Sequence, residues 1–311
     1  MEYLLIAALE RHYIPLSERS IEGPMAARIG IIGMGHVGKA MYDLFRSHAD
    51  IVTFDARGHE DYPAGDLAAC DLGVICVDTP EGADGECDVT NVGEAVNRLP
   101  ISRLLIKSTV APGTTDLLAR STGKQICFSP EYVGESSYYH PFWAAGVRDV
   151  PFVILGGPPS ARRWLIDLLL PVLGPTKVYF QCSALEAEVI KYMENAYFAT
   201  KVSFVNEFAR ICQAVGADWH TVREGWLLDP RVEPMHTAVF AGSPGFAGRC
   251  LPKDLSAIIQ ASAAAGYAPA LLAEVLRSNR RFRGGDADGL PSPGAGGTGR
   301  NPPAGRPPQP A

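Results

Sequence analysis

No stretch constrains this chain more than Arg28-Ile-Gly-Ile-Ile-Gly33-Met-Gly35-His-Val-Gly38. A short β-branched strand runs there directly into Gly-x-Gly-x-x-Gly. Gly33 permits a tight turn, Gly35 lets the backbone approach a bulky anion, and Gly38 lets the next helix sit close to the strand. The N-terminus of that helix then aims unpaired N–H groups and the positive end of its dipole into the turn. A second apolar run, 51–54, is followed by Asp55, where a carboxylate accepts both ribose hydroxyls of an adenosine. Gly33, Met34, Gly35, His36, Val37, Gly38 and Asp55 are thus the expected cofactor cradle, and NAD the expected cofactor. Asp55 opposes the 2′-phosphate of NADP, and Arg57, two residues on, tempers that opposition. The His36 ring itself reads as surface filler.

Short apolar runs recur at 28–32, 51–54, 72–77, 104–106, 125–128 and 152–155, several of them separated by helix-length segments. That alternation predicts an α/β chain with a doubly wound parallel sheet. Beyond a last run at 177–180 the texture changes. Ser183 is a plausible N-cap, and Ala184–Val215 holds no Gly or Pro before Gly216. A helix so long, apolar on more than one face, usually forms a spine between domains or subunits, so a homodimer is expected. A shorter helix capped by Asp218 follows, then a Gly/Pro-rich loop through Gly248 and two helices parted near Gly266 and Pro269. The 311 residues exceed one ordinary core. The expected divisions are a loose arm over 1–24, a dinucleotide-binding domain over 25–182, a helical domain over 183–283 and a tail over 284–311. In that tail 15 of 28 residues are Gly or Pro, which predicts disorder. Met25 is an alternative start.

Composition removes several function classes. With 34 acidic against 28 basic residues the net charge is −6, which leaves no broad basic field for nucleic acid. No apolar run approaches the ~20 residues of a spanning helix, and residues 1–9 lack the basic flank of a secretory peptide. The seven cysteines are scattered without a Cys-x-x-Cys pair, which argues against a metal site or a disulfide framework and for a reducing cytoplasm.

The segment Gly245-Phe-Ala-Gly248-Arg-Cys250-Leu-Pro-Lys253-Asp254 gathers a thiol, an ammonium and a carboxylate at the start of a helix, a setting that favours thiolate. Lys191 and Asn195 lie one turn apart on the long helix. Taken with Lys107-Ser-Thr109-Val, Ser129-Pro130-Glu131-Tyr, Asp78-Thr79-Pro80 and Asp229-Pro-Arg231, the sequence from about Arg28 to Arg283 resembles the UDP-glucose/GDP-mannose dehydrogenase family. The resemblance implies a Rossmann-type domain and an NAD-dependent oxidation of a sugar nucleotide's primary alcohol to a carboxylate. It implies Cys250 as the nucleophile that adds to the aldehyde, and Lys191 and Asn195 as stabilisers of alkoxide and oxyanion. Asp254 would be the general base, through a water that Thr109 helps to hold. Glu131 would assist thioester hydrolysis. Thr79, Glu135 and Lys253 would contact the cofactor, and Arg231, Gly245 and Phe246 the substrate, together with Glu131, Lys191 and Asn195.

Taken singly, each feature has a plainer reading: a solvated helix face for Lys191 and Asn195, a turn carboxylate for Glu131, a strand filler for Thr109. The other cysteines read as packing residues. The chain also departs from the family pattern. Ala247 and Arg249 replace a glycine and a small residue, and the spacing from Arg231 to Cys250 is long. The third domain, which would hold the substrate's nucleotide, is expected to be missing. Two alternatives therefore stay open: a two-electron enzyme resembling 3-hydroxy-acid or 6-phosphogluconate dehydrogenases, and a catalytically dead dinucleotide-binding remnant.

Overall fold

The computed structural model describes residues 27–58, 61–133 and 146–284. The expected N-terminal arm, all of the tail beyond Gly284, and Glu135 lie outside them. Seven strands form one sheet: β1 (Arg28–Ile32), β2 (Asp50–Phe54), β3 (Leu72–Ile75), β4 (Arg103–Ile106), β5 (Gln125–Phe128), β6 (Phe152–Gly156) and β7 (Val178–Cys182), in the order β2-β1-β3-β4-β5-β6-β7. All neighbours pair in parallel except β5 and β6, which meet antiparallel through Phe128 and Gly156. The sheet is therefore mixed where the sequence predicted it parallel throughout. An isolated apolar run carries the pleat of a strand but not its direction.

The short period-2 strands serve both faces. Ile29 and Ile31 enter an apolar layer beneath α1 (His36–Phe45), with Met41, Leu44 and Phe45. Ile32 turns to the opposite layer, where Leu67 of α2 (Ala64–Ala68) and Val92 and Val96 of α3 (Thr90–Arg98) pack. On β4, Leu104 and Ile106 face that second layer, and Leu105 the first. Two covered faces explain why these strands are almost wholly apolar. The chain reverses direction across the sheet between β1 and β3, so a crevice opens at the carboxyl ends of these strands, where open α/β sheets bind their ligands.

Helix α4 (Thr114–Thr122) follows β4, and α5 (Pro159–Leu173) links β6 to β7. The long helix α6 (Ala184–Val215) starts at the predicted cap. Ser183 Oγ accepts from Glu186 N at 3.2 Å, while the Glu186 carboxylate accepts from Ser183 N at 2.7 Å. It stops at Gly216, whose φ of +76° is open to glycine. After α7 (Trp219–Trp226), helices α8 (Leu251–Ala264) and α9 (Ala270–Phe282) pack on α6 around Ala196, Ala199, Phe246, Leu255 and Val275. The opposite side of α6 carries Leu185, Val189, Met193, Tyr197, Phe204, Phe208, Ile211 and Val215, all exposed. Their three-, four- and seven-residue spacing makes one continuous apolar stripe.

Candidate active site

The cradle has the geometry its glycines require. Gly33 sits at φ +89°, and a Cβ there would stand 2.6 Å from the Cys76 carbonyl oxygen. A Cβ on Gly38 would stand 1.9 Å from the carbonyl oxygen of Gly33, so strand and helix touch only because none is present. Over Gly35 the space is open except for the tip of Arg57. Helix α1 has no side-chain cap and no acidic residue in its first turn, which leaves its terminal N–H groups and dipole for an anion. Asp55 stands at the end of β2 and accepts from Met34 N at 2.7 Å and Arg57 N at 2.9 Å. The backbone N–H of Arg57, that of Met34 and the Arg57 side chain hold its carboxyl down to about 2. A turn shaped by obligatory glycines, an uncapped helix end and a fixed carboxylate fit a dinucleotide. The His36 side chain is exposed, as expected.

Beside the cradle, one line of contacts joins five segments. Lys191 Nζ on α6 donates to the Glu131 carbonyl at 2.9 Å and approaches Asn195 Oδ1 at 3.5 Å. Asn195 Nδ2 donates to Asp254 Oδ2 at 2.6 Å, and Lys253 Nζ pairs with Asp254 Oδ1 at 2.7 Å. Lys253 Nζ also approaches Thr79 Oγ1 at 3.5 Å, and that hydroxyl donates to the Thr109 carbonyl at 2.8 Å. Loops after β3, β4 and β5, one face of α6 and the first turn of α8 thus converge. Asp254 is buried and Lys253 nearly so. Burial is the largest single influence on the Lys253 ammonium and acts to lower it; Asp254, with Cys87 and Cys250, outweighs burial and leaves it raised. Cys250 is the N-cap residue of α8 and is exposed, whereas the six other cysteines are buried. The packing role expected of those six agrees with their burial, which drives the Cys76 and Cys127 thiols up to about 12.

Sequence reasoning gave no role to Lys107, yet it is the buried partner of Glu131, with Nζ 3.1 Å from Oε2. Burial pushes the Glu131 carboxyl up, but Lys107 and the N–H groups of Val133 and Tyr132 outweigh it, and the net direction is down. A lysine directly after the apolar run of β4 was the available signal. The cysteine loop is held from behind by two other unanticipated residues. Gly245 N donates to Asn206 Oδ1 at 2.9 Å, and Asn279 Oδ1 accepts from Phe246 N at 2.7 Å while its amide donates to Phe246 O at 2.9 Å. The Phe246 ring is buried among the apolar residues of α6, α8 and α9. The sequence placed it against substrate; the structure gives it to the core, because an apolar ring beside three packed helices removes more area from water there.

Of the expected residues, the structure brings together Thr79, Thr109, Glu131, Lys191, Asn195, Cys250, Lys253 and Asp254. Thr109 takes part through its carbonyl, which also accepts from the Cys87 thiol at 3.5 Å. Arg231 is not in the cluster. Its side chain is 88% exposed and forks onto Asp229 at 2.6 Å.

The seven-stranded sheet, the glycine cradle and this polar cluster define a protein of Rossmann-type architecture, the class on which many dehydrogenases are built. Residues 185–281 match the model of the UDP-glucose/GDP-mannose dehydrogenase family, central domain. The chain is 31% identical over 233 residues to UDP-glucose 6-dehydrogenase TuaD of Bacillus subtilis, covering 70% of this chain and 48% of that one. It is 32% identical over 248 residues to UDP-glucose 6-dehydrogenase AglM of Haloferax volcanii, covering 72% and 55%. A UDP-glucose dehydrogenase structure from the hyperthermophilic archaeon Pyrobaculum islandicum superposes with a TM-score of 0.72 at 25% identity, over 85% of this chain and 70% of that one. The chain belongs to the UDP-glucose/GDP-mannose dehydrogenase family. It spans about half the length of the curated relatives it matches.

Proposed function

We propose that this chain binds NAD⁺ in the cradle and oxidises the primary alcohol of a sugar nucleotide to the carboxylate, in two hydride transfers, with Cys250 as the nucleophile. The observation that carries this reading is the Lys191–Asn195–Asp254–Lys253 line ending at the helix turn that presents Cys250. Bound NAD⁺ supplies the hydride acceptor; the chain's residues handle charge and protons. Asp254 takes the alcohol proton through a water, and the neighbouring Lys253 ammonium compensates the charge that moves. Lys191 and the Asn195 amide face the alkoxide and the later oxyanion, preorganised by their mutual contact. The Cys250 thiolate adds to the aldehyde carbon, and the resulting thiohemiacetal is a far better hydride donor than the aldehyde. Loss of the second hydride leaves a thioester, which water cleaves to release the acid and restore the thiol. Glu131, held ionised beside Lys107, assists that hydrolysis.

The remaining expectations join this reading. The domains are a dinucleotide-binding unit over 25–182 and a helical unit over 183–283. Thr79, Lys253 and Glu135 serve the cofactor, and the Gly245 backbone the substrate. The second copy in a homodimer covers the apolar stripe of α6, and Arg231, directed outward in its own chain, reaches toward the neighbour's substrate. No helix among the described residues is long and apolar enough to cross a membrane. No group of three or more His, Cys, Asp or Glu residues among them is placed to hold a metal ion. A cytoplasmic location and a small-molecule substrate complete the reading.

The test is NADH release with UDP-glucose, scored per molecule of substrate consumed, for the full chain and for Cys250→Ala. Two NADH per substrate, lost in the variant while NAD⁺ still binds, is the expected result. One NADH per substrate that survives Cys250→Ala would replace this reading with a two-electron dehydrogenase.

A further inference from the structure

Arg57 holds Asp55 of the cradle through its backbone N–H, while its guanidinium has no part in the cysteine chemistry. It lies in the short 3₁₀ turn Ala56–Gly58 after β2, with its side chain 65% exposed. Its Nε and Nη2 lie 3.3 and 3.5 Å from the two Asp55 oxygens, and Nη1 lies 3.2 Å from Asp78 Oδ2 at the end of β3. Nη2 is also 3.9 Å from where a Cβ on Gly35 would stand, so the guanidinium lies across the mouth of the turn. The short bonds from Met34 N and Arg57 N take one lone pair on each Asp55 oxygen. The longer guanidinium contacts fall on the lone pairs that a ribose diol would need.

Two consequences follow from this geometry. A diol binding to Asp55 has to displace weak contacts, so the guanidinium competes mildly with a cofactor bearing free 2′- and 3′-hydroxyls. A 2′-phosphate, in contrast, would meet a carboxylate already paired with a planar cation, whose outer N–H groups suit phosphate oxygens. Asp78 holds that cation in place when Asp55 alone would let it swing. We propose that Arg57 is a specificity-determining residue that narrows the discrimination between NAD⁺ and NADP⁺, making the chain tolerant of a 2′-phosphate although Asp55 is present. The inference rests on the dinucleotide reading of the cradle and deepens it.

Calorimetric titration of the full chain with NAD⁺ and with NADP⁺ tests it without reference to turnover. In the wild type NADP⁺ should bind within about a hundredfold of NAD⁺. Arg57→Ala should weaken NADP⁺ by about 10–100-fold, the worth of one or two charge-assisted hydrogen bonds, while NAD⁺ holds or tightens. Arg57→Lys, which keeps the charge but not the fork, should fall between. Retained NAD⁺ binding also certifies that the variants are folded. If Arg57→Ala leaves the ratio of the two affinities unmoved, or if the wild type binds NAD⁺ but not NADP⁺, the role of Arg57 is overturned and the cradle reading survives. If neither dinucleotide binds the wild type, both fall.

Discussion

Replacing Glu188 with alanine tests how the long helix is seated on the sheet domain. Glu188 lies on α6, fully buried, one turn before Lys191. Its carboxylate accepts from Gly113 N at 2.5 Å and from Thr115 N at 2.9 Å, and so caps α4 from 75 residues away. Gly113, the N-cap of α4, has no side chain with which to do this. Loss of a cap costs about 1 kcal/mol, and a buried N–H left without an acceptor costs about 1–3 kcal/mol more. Part of this is recovered, because burial opposes the charged carboxylate and raises its pKa despite the Thr115 and Gly113 bonds. The net expectation is a loss of about 1–3 kcal/mol, or roughly 2–12 °C in Tm for a chain of this size. Urea unfolding followed by far-UV circular dichroism measures it. Glu188→Gln keeps one acceptor and should lose about half as much. The pH dependence has a definite sign. A carboxyl raised in the folded state makes the fold bind more protons than the unfolded chain, so its contribution declines as pH rises through the raised pKa. The wild type should therefore lose ground against Glu188→Gln as pH climbs from the ordinary glutamate range. An alanine variant within about 0.5 kcal/mol of wild type would refute the capping argument.

Lys107→Met should leave the nearly buried Glu131 carboxylate without its cation, at a cost of about 3–5 kcal/mol, and move the pH at which Glu131 titrates upward. Lys107→Met combined with Glu131→Gln should recover most of that stability, and additive losses in denaturant unfolding would contradict the pairing. Met193→Glu, placed at the 73% exposed centre of the α6 stripe, should shift sedimentation toward the monomer at micromolar concentration. A dimer that tolerates this charge would move the interface elsewhere.

Much of this protein is legible in one dimension. Apolar runs of four or five residues, bounded by Gly, Pro or Asp, are too short for buried helices and read as strands covered on both faces. The thirty-two-residue helix α6 announces both ends, through the Ser183/Glu186 capping box and the left-handed Gly216. The cradle is nearly as local: Gly38 lies against Gly33 within one turn and Asp55 stands one strand away, although Gly33 also makes room for the Cys76 carbonyl beyond β3. Cys250, Lys253 and Asp254 share a single helix start, so their proximity follows from spacing alone.

Tertiary structure decided whatever depends on partners distant in sequence. The antiparallel meeting of β5 and β6, the burial of Lys107 against Glu131, and the placing of Phe246 in the core are set by packing that no local pattern encodes. Asn206 and Asn279 look like ordinary helical polar residues until the fold brings the Gly245–Phe246 backbone between them. Glu188 reads as one more helical acid, and only the docking of α6 on α4 turns it into a cap. Backbone geometry is short-ranged and written in neighbouring residues, whereas hydrogen-bond satisfaction inside a core is a property of the assembled whole.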